Sequence, residues 1–142
     1  MWNKILTKND IDKLMQTFGD FHDSCIKEIK YMSGAYVNFN LGMHAINDKR
    51  ILHMIFQRQC KNPTAIEMRF IGLNKLTLIP NNLEYTCEIF EASMMIKNDG
   101  IYWFDCADDC EDLSDYNGTY LCAENVEWRI ADEYIGESEV YI

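Results

Sequence analysis

The segment Cys87–Phe104 reads CEIFEASMMIKNDGIYWF and contains the pattern most informative about the fold. In its first part every second residue is apolar, which is typical of a β-strand with a buried face. These residues are Phe90, Ala92, Met94 and Ile96. Asn98-Asp99-Gly100 then supplies a turn, because Asp-Gly favours the positive φ that tight hairpins need. Since the apolar run Ile101–Phe104 follows directly, the segment predicts an antiparallel β-hairpin.

Five further segments predict strands of the same sheet, namely Ser24–Met32, Val37–Met43, Leu52–Arg58, Ile66–Leu78 and Tyr120–Ile130. A turn at Asn47-Asp48-Lys49 joins the second of these to the third, so we expect those two to form another hairpin. Gly72 interrupts the fourth run, which indicates a kink or a bulge. The acidic tail, residues 133–142, ends in Val140-Tyr141-Ile142, and we expect it to add a short edge strand.

One segment has a helical period. Its apolar residues recur at i, i+3, i+4 and i+7 and are Ile11, Leu14, Met15 and Phe18. Thr7 fits an N-cap and Gly19 a stop, so we predict a helix over 8–18. No helix separates the later strands, which makes an antiparallel sheet the expectation. The predicted fold is therefore α+β, with one N-terminal helix packed on a mainly antiparallel sheet of seven or eight strands. A sheet of that size is expected to curl or to split into a sandwich.

Length and composition predict a single globular domain, residues 1–142. Hydrophobic residues make up 48% of the chain and charged residues 25%, which excludes a disordered or fibrous chain. No apolar run approaches the ~18–20 residues of a membrane span, and Met1-Trp2-Asn3-Lys4 does not open a signal peptide. We therefore expect a cytoplasmic protein with reduced cysteines, without a membrane partner. Four of these lie in or beside apolar segments and are expected to act as small core residues: Cys25, Cys60, Cys87 and Cys122.

The negative charge is concentrated towards the C-terminus. Residues 1–97 contain 10 acids and 12 bases, whereas residues 98–142 contain 13 acids and a single base, Arg129. The net charge of −10 argues against nucleic acid as a partner, because phosphate binding needs clustered Lys and Arg. Two interpretations stay open: the charge serves solubility, or it forms a surface for a basic protein.

A dense acidic segment lies within this region. Its carboxylates are Asp105, Asp108, Asp109, Glu111, Asp112 and Asp115. Clustered carboxylates can bind a hard cation such as calcium, but the ligand order and central glycine of an EF-hand loop are absent. Trp103 and Tyr116 flank the segment, and aromatic side chains anchor protein interfaces while carboxylates steer a basic partner. A solvated loop, a protein-binding surface and a cation site are all open, and we predict no cofactor or metal.

Phe21-His22-Asp23-Ser24 forms the corner between the helix and the first strand. His22 and Asp23 are the residue types of a general base and its orienting acid, with Ser24 or Cys25 as a nucleophile. On an extended chain, however, neighbouring side chains point to opposite sides and do not converge. We therefore expect a structural role, in which Phe21 anchors the corner while Asp23 and Ser24 satisfy backbone donors.

The segment Gly19-Asp20-Phe21-His22-Asp23-Ser24, followed by an alternating strand, resembles the opening of small, acidic, mostly uncharacterised bacterial proteins. Some polymorphic-toxin immunity proteins are among them, and the resemblance covers residues 15–32. It implies a cognate inhibitor that binds a toxin and carries no active site. We therefore expect a non-catalytic protein-binding module for a basic toxin domain.

Two alternatives come from other functional classes. One is a cation- or ligand-binding domain, or an enzyme, that uses the His22-Asp23 corner or the acidic segment. The other is a self-assembling structural subunit, a homodimer in which exposed sheet edges or the C-terminal tail pair across a two-fold axis.

Overall fold

The computed structural model describes residues 1–107 and 116–142. The helix α1 spans Lys8–Thr17. Among the described residues, none of the helices reaches the length and hydrophobicity of a membrane span. Single turns of 3-10 helix lie at Gly19–Phe21 and Asp132–Tyr134. The strands are β1 (Asn3–Ile5), β2 (Ser24–Met32), β3 (Tyr36–Val37), β4 (Met43–His44), β5 (Ile51–Arg58), β6 (Ala65–Thr77), β7 (Ser93–Lys97), β8 (Gly100–Phe104) and β9 (Tyr120–Ile130).

The main sheet is antiparallel and has the order β2-β5-β6-β9-β8-β7, with β1 also paired to β9. β3 and β4 form a separate two-stranded sheet. Ahead of β7, the N–H of Ile89 donates to the carbonyl of Ser24 at 2.7 Å, and Asp23 N–H donates to the carbonyl of Ile89 at 2.8 Å. These bonds link the two edges of the sheet without closing it. The predicted α+β fold, one helix on a curled antiparallel sheet, is confirmed.

The longest strands, β6 and β9, pair along most of their length. Their register shifts between Leu73 and Lys75, next to Gly72 with its φ of 71°. The positive φ favours glycine at this position, whereas a Cβ there would meet a carboxylate oxygen of Glu124 at 2.5 Å and displace only that exposed side chain. The strand does carry the predicted irregularity, but the extra residue is Asn74, two positions after the glycine.

The hydrophobic core lies between the sheet and α1. The helix contributes Ile11 and Leu14, and the strands contribute alternate side chains from one face of the sheet. Among them are Leu52, Met54, Phe56, Ile66, Met68, Phe70, Trp103, Leu121, Val126 and Trp128. Because side chains of a strand alternate between faces, Glu67 and Arg129 lie on the other, outer face. A smaller aromatic cluster of Tyr102, Phe104 and Tyr120 also lies apart from the main core.

The predicted hairpin of Val37–Met43 with Leu52–Arg58 is wrong. β5 pairs with β2 on one side and with β6 on the other, which leaves no free edge for a third strand. Tyr36–Val37 instead pairs with Met43–His44. The alternation in this region therefore belongs to a short hairpin outside the main sheet, and we call it the β3–β4 hairpin.

The C-terminal tail forms no edge strand, contrary to expectation. The N–H groups of Val140 and Tyr141 donate to the carboxylate of Glu28 at 2.8 and 2.9 Å. A side chain thus satisfies the backbone donors that a neighbouring strand would otherwise occupy. At the other terminus the structure adds β1, which is too short to show a period in the sequence.

The cysteines only partly follow the prediction of core residues. Cys122 is buried and Cys25 is half-buried, but Cys60 and Cys87 are exposed, so the prediction is wrong for these two. Both exposed thiols lie outside the strands, where the alternation of faces no longer applies.

Candidate functional site

The corner between α1 and β2 has an unusual backbone. Asp20, Phe21 and Asp23 have φ values of 55°, 62° and 55°. L-residues seldom adopt this left-handed region, and it persists only where surrounding contacts compensate for the strain. Phe21 supplies such contacts, since it is completely buried with ring centroids 5.1, 4.9 and 5.7 Å from those of Phe18, Phe56 and Trp103. Phe21 thus packs its ring into the core directly beneath the strained backbone of the corner.

The polar side chains of the corner do not form a catalytic set. Ser24 is buried, and its Oγ donates to the carbonyl of Phe21 at 2.7 Å, so it satisfies a backbone acceptor rather than the predicted donor. His22 Nε2 lies 3.3 Å from Asp23 Oδ2, because the positive φ of Asp23 brings together side chains that an extended backbone would separate. The Nδ1–H of His22 donates to the carbonyl of Phe90 at 2.6 Å. The expected divergence of His22 and Asp23 is wrong, but Ser24 points away from both.

The corner positions the segment Leu83–Glu91, which we call the acidic–aromatic segment. Besides the two backbone bonds to Ile89, the N–H of Ala92 donates to the carbonyl of Asp20 at 2.8 Å. Ile89 is buried between these bonds and so fixes the segment to the edge of β2. Its neighbours consequently point outwards from a backbone that the fold holds in place.

The acidic–aromatic segment presents both anchoring and charged side chains to solvent. Its exposed large side chains are Leu83, Tyr85 and Phe90. Its exposed carboxylates are Glu84, Glu88 and Glu91. No Lys or Arg occurs between Lys75 and Lys97, so no base in this stretch of sequence neutralises them. Aromatic anchors among like-charged carboxylates are typical of a surface for a basic protein.

A cavity of about 620 Å³ opens between the corner and the acidic–aromatic segment. Asp23, Glu88 and Tyr85 contribute to its lining. Hydrogen bonds from the Thr86 side chain and from a backbone N–H lower the pKa of Glu88, so its carboxylate is ionised at neutral pH. The cavity suits a cationic side chain better than an anion.

Arg58 is the base among the residues that line this cavity. Its Nε donates to the carbonyl of Pro63 at 2.8 Å, and its guanidinium carbon lies 4.8 Å from the ring centroid of Phe18. These contacts hold the guanidinium against the body of the fold. The lining of the cavity therefore carries two carboxylates, Asp23 and Glu88, against the single positive charge of Arg58.

The structure describes only the start of the predicted acidic segment, at Asp105. Five of its carboxylates lie outside the described residues: Asp108, Asp109, Glu111, Asp112 and Asp115. Asp105 accepts hydrogen bonds from Tyr116 Oη and, at 3.1 Å, from Thr119 N–H, so its carboxylate serves the fold. Asp105 also lines a second cavity of about 410 Å³ together with Cys87 and Ile89. The start of the acidic segment thus lies beside the acidic–aromatic segment.

The prediction that Trp103 contacts a partner is wrong. Its side chain is completely buried, with its ring centroid 5.3 Å from that of Phe56. A continuous aromatic run does not indicate which members face the core, and here Trp103 faces it while Tyr102 does not. The exposed aromatics of the site were not predicted: Tyr85 was missed, and Phe90 was expected on the buried face of a strand but precedes β7 and is exposed. The stretch without bases around them was the signal in the sequence.

A buried ionic network on the outer face of the sheet was also missed. Glu67 accepts hydrogen bonds from Arg129, His53 and Tyr141, which engage both of its carboxylate oxygens. Burial by itself would raise the pKa of Glu67, but these three hydrogen bonds outweigh it and lower the pKa to about 2. The indole of Trp2 covers the guanidinium of Arg129. Because the three donors lie on β5, on β9 and in the tail, the network ties these parts of the chain to β6.

Among the described residues, no group of three or more His, Cys, Asp or Glu side chains is placed to hold a metal ion. The acids of the predicted cation site lie largely outside those residues. Comparison with protein-family models, with curated protein sequences and with solved structures finds no match to this chain.

Proposed function

We propose that this chain is a non-catalytic module that binds and inhibits a basic protein, as an immunity protein inhibits a toxin domain. The acidic–aromatic segment carries the proposal, because its exposed Tyr85 and Phe90 lie among carboxylates on a segment that the backbone bonds of Ile89 attach to the corner. A surface held in its binding conformation loses little entropy when a partner docks. Apolar anchors then supply affinity while the carboxylates supply selectivity for a basic partner.

The cavity beside the corner takes a cationic side chain of the partner. Asp23 and Glu88 provide carboxylate acceptors at its lining, and Tyr85 offers an aromatic ring. An Arg or Lys in this position gains charge-assisted hydrogen bonds together with a cation–π contact. The site performs no reaction: it occupies a residue that the partner needs for its own substrate.

The acidic segment contributes charge at longer range. Residues 98–142 carry 13 acids against one base, and among them Asp108, Asp109, Glu111 and Asp112 add to the negative field of the chain. Such a field raises the rate of association with a basic partner and is screened by salt. Neutralising these four acids together is expected to slow association more than it speeds dissociation.

Affinity capture followed by titration tests the proposal. The immobilised full chain is exposed to a lysate of its source organism at low salt, washed at high salt, and the released proteins are identified and purified. We expect a basic protein whose affinity falls about 10- to 100-fold in the variant Asp23→Asn/Glu88→Gln/Glu91→Gln. The matched control, Asp12→Asn/Glu124→Gln/Glu139→Gln, changes the net charge equally at other exposed positions and is expected to bind within about threefold of the parent.

Two results would contradict the proposal. One is a partner that binds the site variant as tightly as the control, which would show that net charge rather than this surface decides affinity. The other is capture that is insensitive to salt and retains no basic protein. Circular dichroism of each variant verifies that lost binding does not reflect unfolding.

A further inference from the structure

The β3–β4 hairpin lies within a long uncharged stretch of the sequence. Residues 31–47 contain no Asp, Glu, Lys or Arg, although 25% of the chain is charged. The large apolar side chains in this stretch are nevertheless exposed. Their exposed fractions are 60% for Tyr36, 53% for Val37, 107% for Phe39, 84% for Leu41, 71% for Met43 and 62% for Ile46.

The hairpin is ordered by its own hydrogen bonds. Asn38 Oδ1 accepts from the N–H groups of Asn40 and Gly42 at 3.0 and 2.9 Å and so shapes the turn. The ring of Tyr36 stacks on His44 with centroids 5.0 Å apart, and the carbonyl of Ser33 accepts two N–H groups at the base of the hairpin. The apolar side chains are therefore presented on a defined scaffold.

The outer edges of the hairpin are unpaired in the described chain, where β3 pairs only with β4. An isolated two-stranded hairpin is only marginally stable in water, and an open strand edge is a template for another strand. Exposed apolar side chains and open edges occur here on the same element. Both features favour contact with another protein surface, and no described part of this chain provides that contact.

The apolar area matches that of a stable interface. With roughly 150–250 Å² for a large side chain in full exposure, the six exposed fractions amount to on the order of 900 Å². Monomers seldom expose an apolar patch above about 600 Å². A standard interface buries about 800 Å² on each partner, so a second copy that encloses both faces of the hairpin, to which Tyr36 and Val37 point in turn, provides the area that a dimer needs.

We infer that the β3–β4 hairpin docks on the same hairpin of a second copy of this chain, in a two-fold symmetric dimer. Copies that each carry a charge of −10 repel one another, so they associate best through a surface that carries no charge. A basic partner, in contrast, is drawn to carboxylates, which residues 31–47 lack. A two-fold axis pairs equivalent edges and packs Phe39 and Leu41 of one copy against the hairpin of the other.

This contact uses residues distant in sequence from the corner and the acidic–aromatic segment, and it does not rest on the proposed function. A dimer that forms through the hairpins leaves the Asp23, Tyr85 and Glu88 surface uninvolved. The two inferences can therefore fail separately, and different variants test them.

Sedimentation equilibrium on the full chain, from about 1 to about 200 µM, tests the dimer. We expect dimerisation that tightens at high salt, because salt screens the repulsion between the acidic copies. Phe39→Asp/Leu41→Asp is expected to weaken it at least about 100-fold. The matched control, Leu83→Asp/Tyr85→Asp, adds the same two charges at exposed apolar positions of the other surface and is expected to leave it unchanged. Equal melting temperatures of the two variants exclude an effect through unfolding.

Hydrogen exchange provides a second measurement. The backbone amides of residues 36–44 are expected to exchange more slowly as the protein concentration rises, while those of the acidic–aromatic segment are unaffected. A chain that stays monomeric at the highest concentration would overturn the inference. So would a dimer that survives Phe39→Asp/Leu41→Asp, or one that the control variant weakens equally. If dimerisation behaves as expected while Asp23→Asn/Glu88→Gln/Glu91→Gln leaves partner binding intact, only the proposed function fails.

Discussion

Glu67 on β6 and Arg129 on β9 lie directly opposite each other in the sheet and form an ion pair with an Nε–Oε1 distance of 2.9 Å. Glu67 is only 4% exposed, so its charge depends on this partner and on His53 and Tyr141. Removal of one member of a buried pair leaves the other charge without compensation. The pair therefore makes the stability of the fold sensitive to acid.

We expect the free energy of unfolding to decrease as the pH falls from about 5 to about 2. The folded pKa of Glu67, about 2, lies below the ordinary value of 4.5. A carboxyl group whose pKa is lowered in the folded protein contributes its full stability at pH values above its pKa in the unfolded chain. This contribution is lost as the pH falls through its pKa in the folded protein. The difference between the two pKa values corresponds to about 3 kcal/mol. Urea unfolding at a series of pH values measures it.

Glu67→Gln is expected to lower the free energy of unfolding at neutral pH by about 3–5 kcal/mol, because Arg129 loses its buried partner. The same variant should show a flatter dependence on pH in the acid range. Glu133→Gln is the control, since Glu133 contacts Arg129 at 3.0 Å but its side chain is 57% exposed. Glu133→Gln is expected to lower the free energy of unfolding by no more than about 1 kcal/mol. Identical acid profiles for the two variants would contradict the assignment.

Ser24→Ala is expected to cost about 1–2 kcal/mol of stability. The substitution removes the buried donor to the carbonyl of Phe21, within the strained corner. Thr17→Ala serves as the control, because Thr17 Oγ1 donates to the carbonyl of Lys13 in an exposed position where water can replace it. Chemical denaturation of both variants measures the difference, and a larger loss for the Thr17 variant would refute the structural role of Ser24.

Gly100→Ala is expected to cost about 2–4 kcal/mol, through both conformation and contact. Gly100 has a φ of 147°, and a Cβ there would lie 2.8 Å from the carbonyl oxygen of Ala123. Gly136 has a φ of 109°, and a Cβ there would meet no atom within 4 Å, so Gly136→Ala carries the conformational cost alone, about 1 kcal/mol. Thermal unfolding compares the two. Equal losses would argue against a close approach of β8 to β9.

Thr7→Ala is expected to destabilise the fold by about 1 kcal/mol. Thr7 and Asp10 form a reciprocal capping box at the start of α1, in which the Thr7 N–H donates to Asp10 Oδ2 at 2.9 Å. Lys8→Ala removes an exposed ion pair with Asp12 next to the cap and should change stability by less than about 0.5 kcal/mol. Guanidinium unfolding monitored by circular dichroism separates the two, and a Thr7 variant as stable as the parent would rule out the cap.

Elements that depend on neighbouring residues were predictable. The capping box of Thr7 and Asp10 and the stripe of Ile11 and Leu14 involve positions three or four apart, so the helix is visible in the sequence. The same holds for the turn before Gly100 and for the irregularity of β6 near Gly72, where the conformation disfavours most side chains. Each of these rules acts within a few residues, and no knowledge of the remaining chain is needed to apply it.

Elements that depend on distant residues were not predictable. The alternation of Val37–Met43 is compatible with a strand of the main sheet or with a separate hairpin. It forms a separate hairpin because β6 already pairs with the second edge of β5. Trp103 and Tyr102 are equally aromatic, but only the pairing of β8 with β9 determines which of them faces the core. The candidate site depends on the contact of Ile89 with Ser24, which are 65 positions apart in the sequence.

Propensity, periodicity and charge are properties of local segments, so the helix, most strands, the antiparallel class and the acidic composition can be read from the amino-acid sequence alone. Tertiary structure decided which side chains are buried, which strands pair, and which acids surround the cavity beside Asp23. These depend on the register between strands, where a shift by one residue exchanges the buried and exposed faces. Register is set by contacts among all the strands of the core, so it cannot be read from any single segment of the sequence.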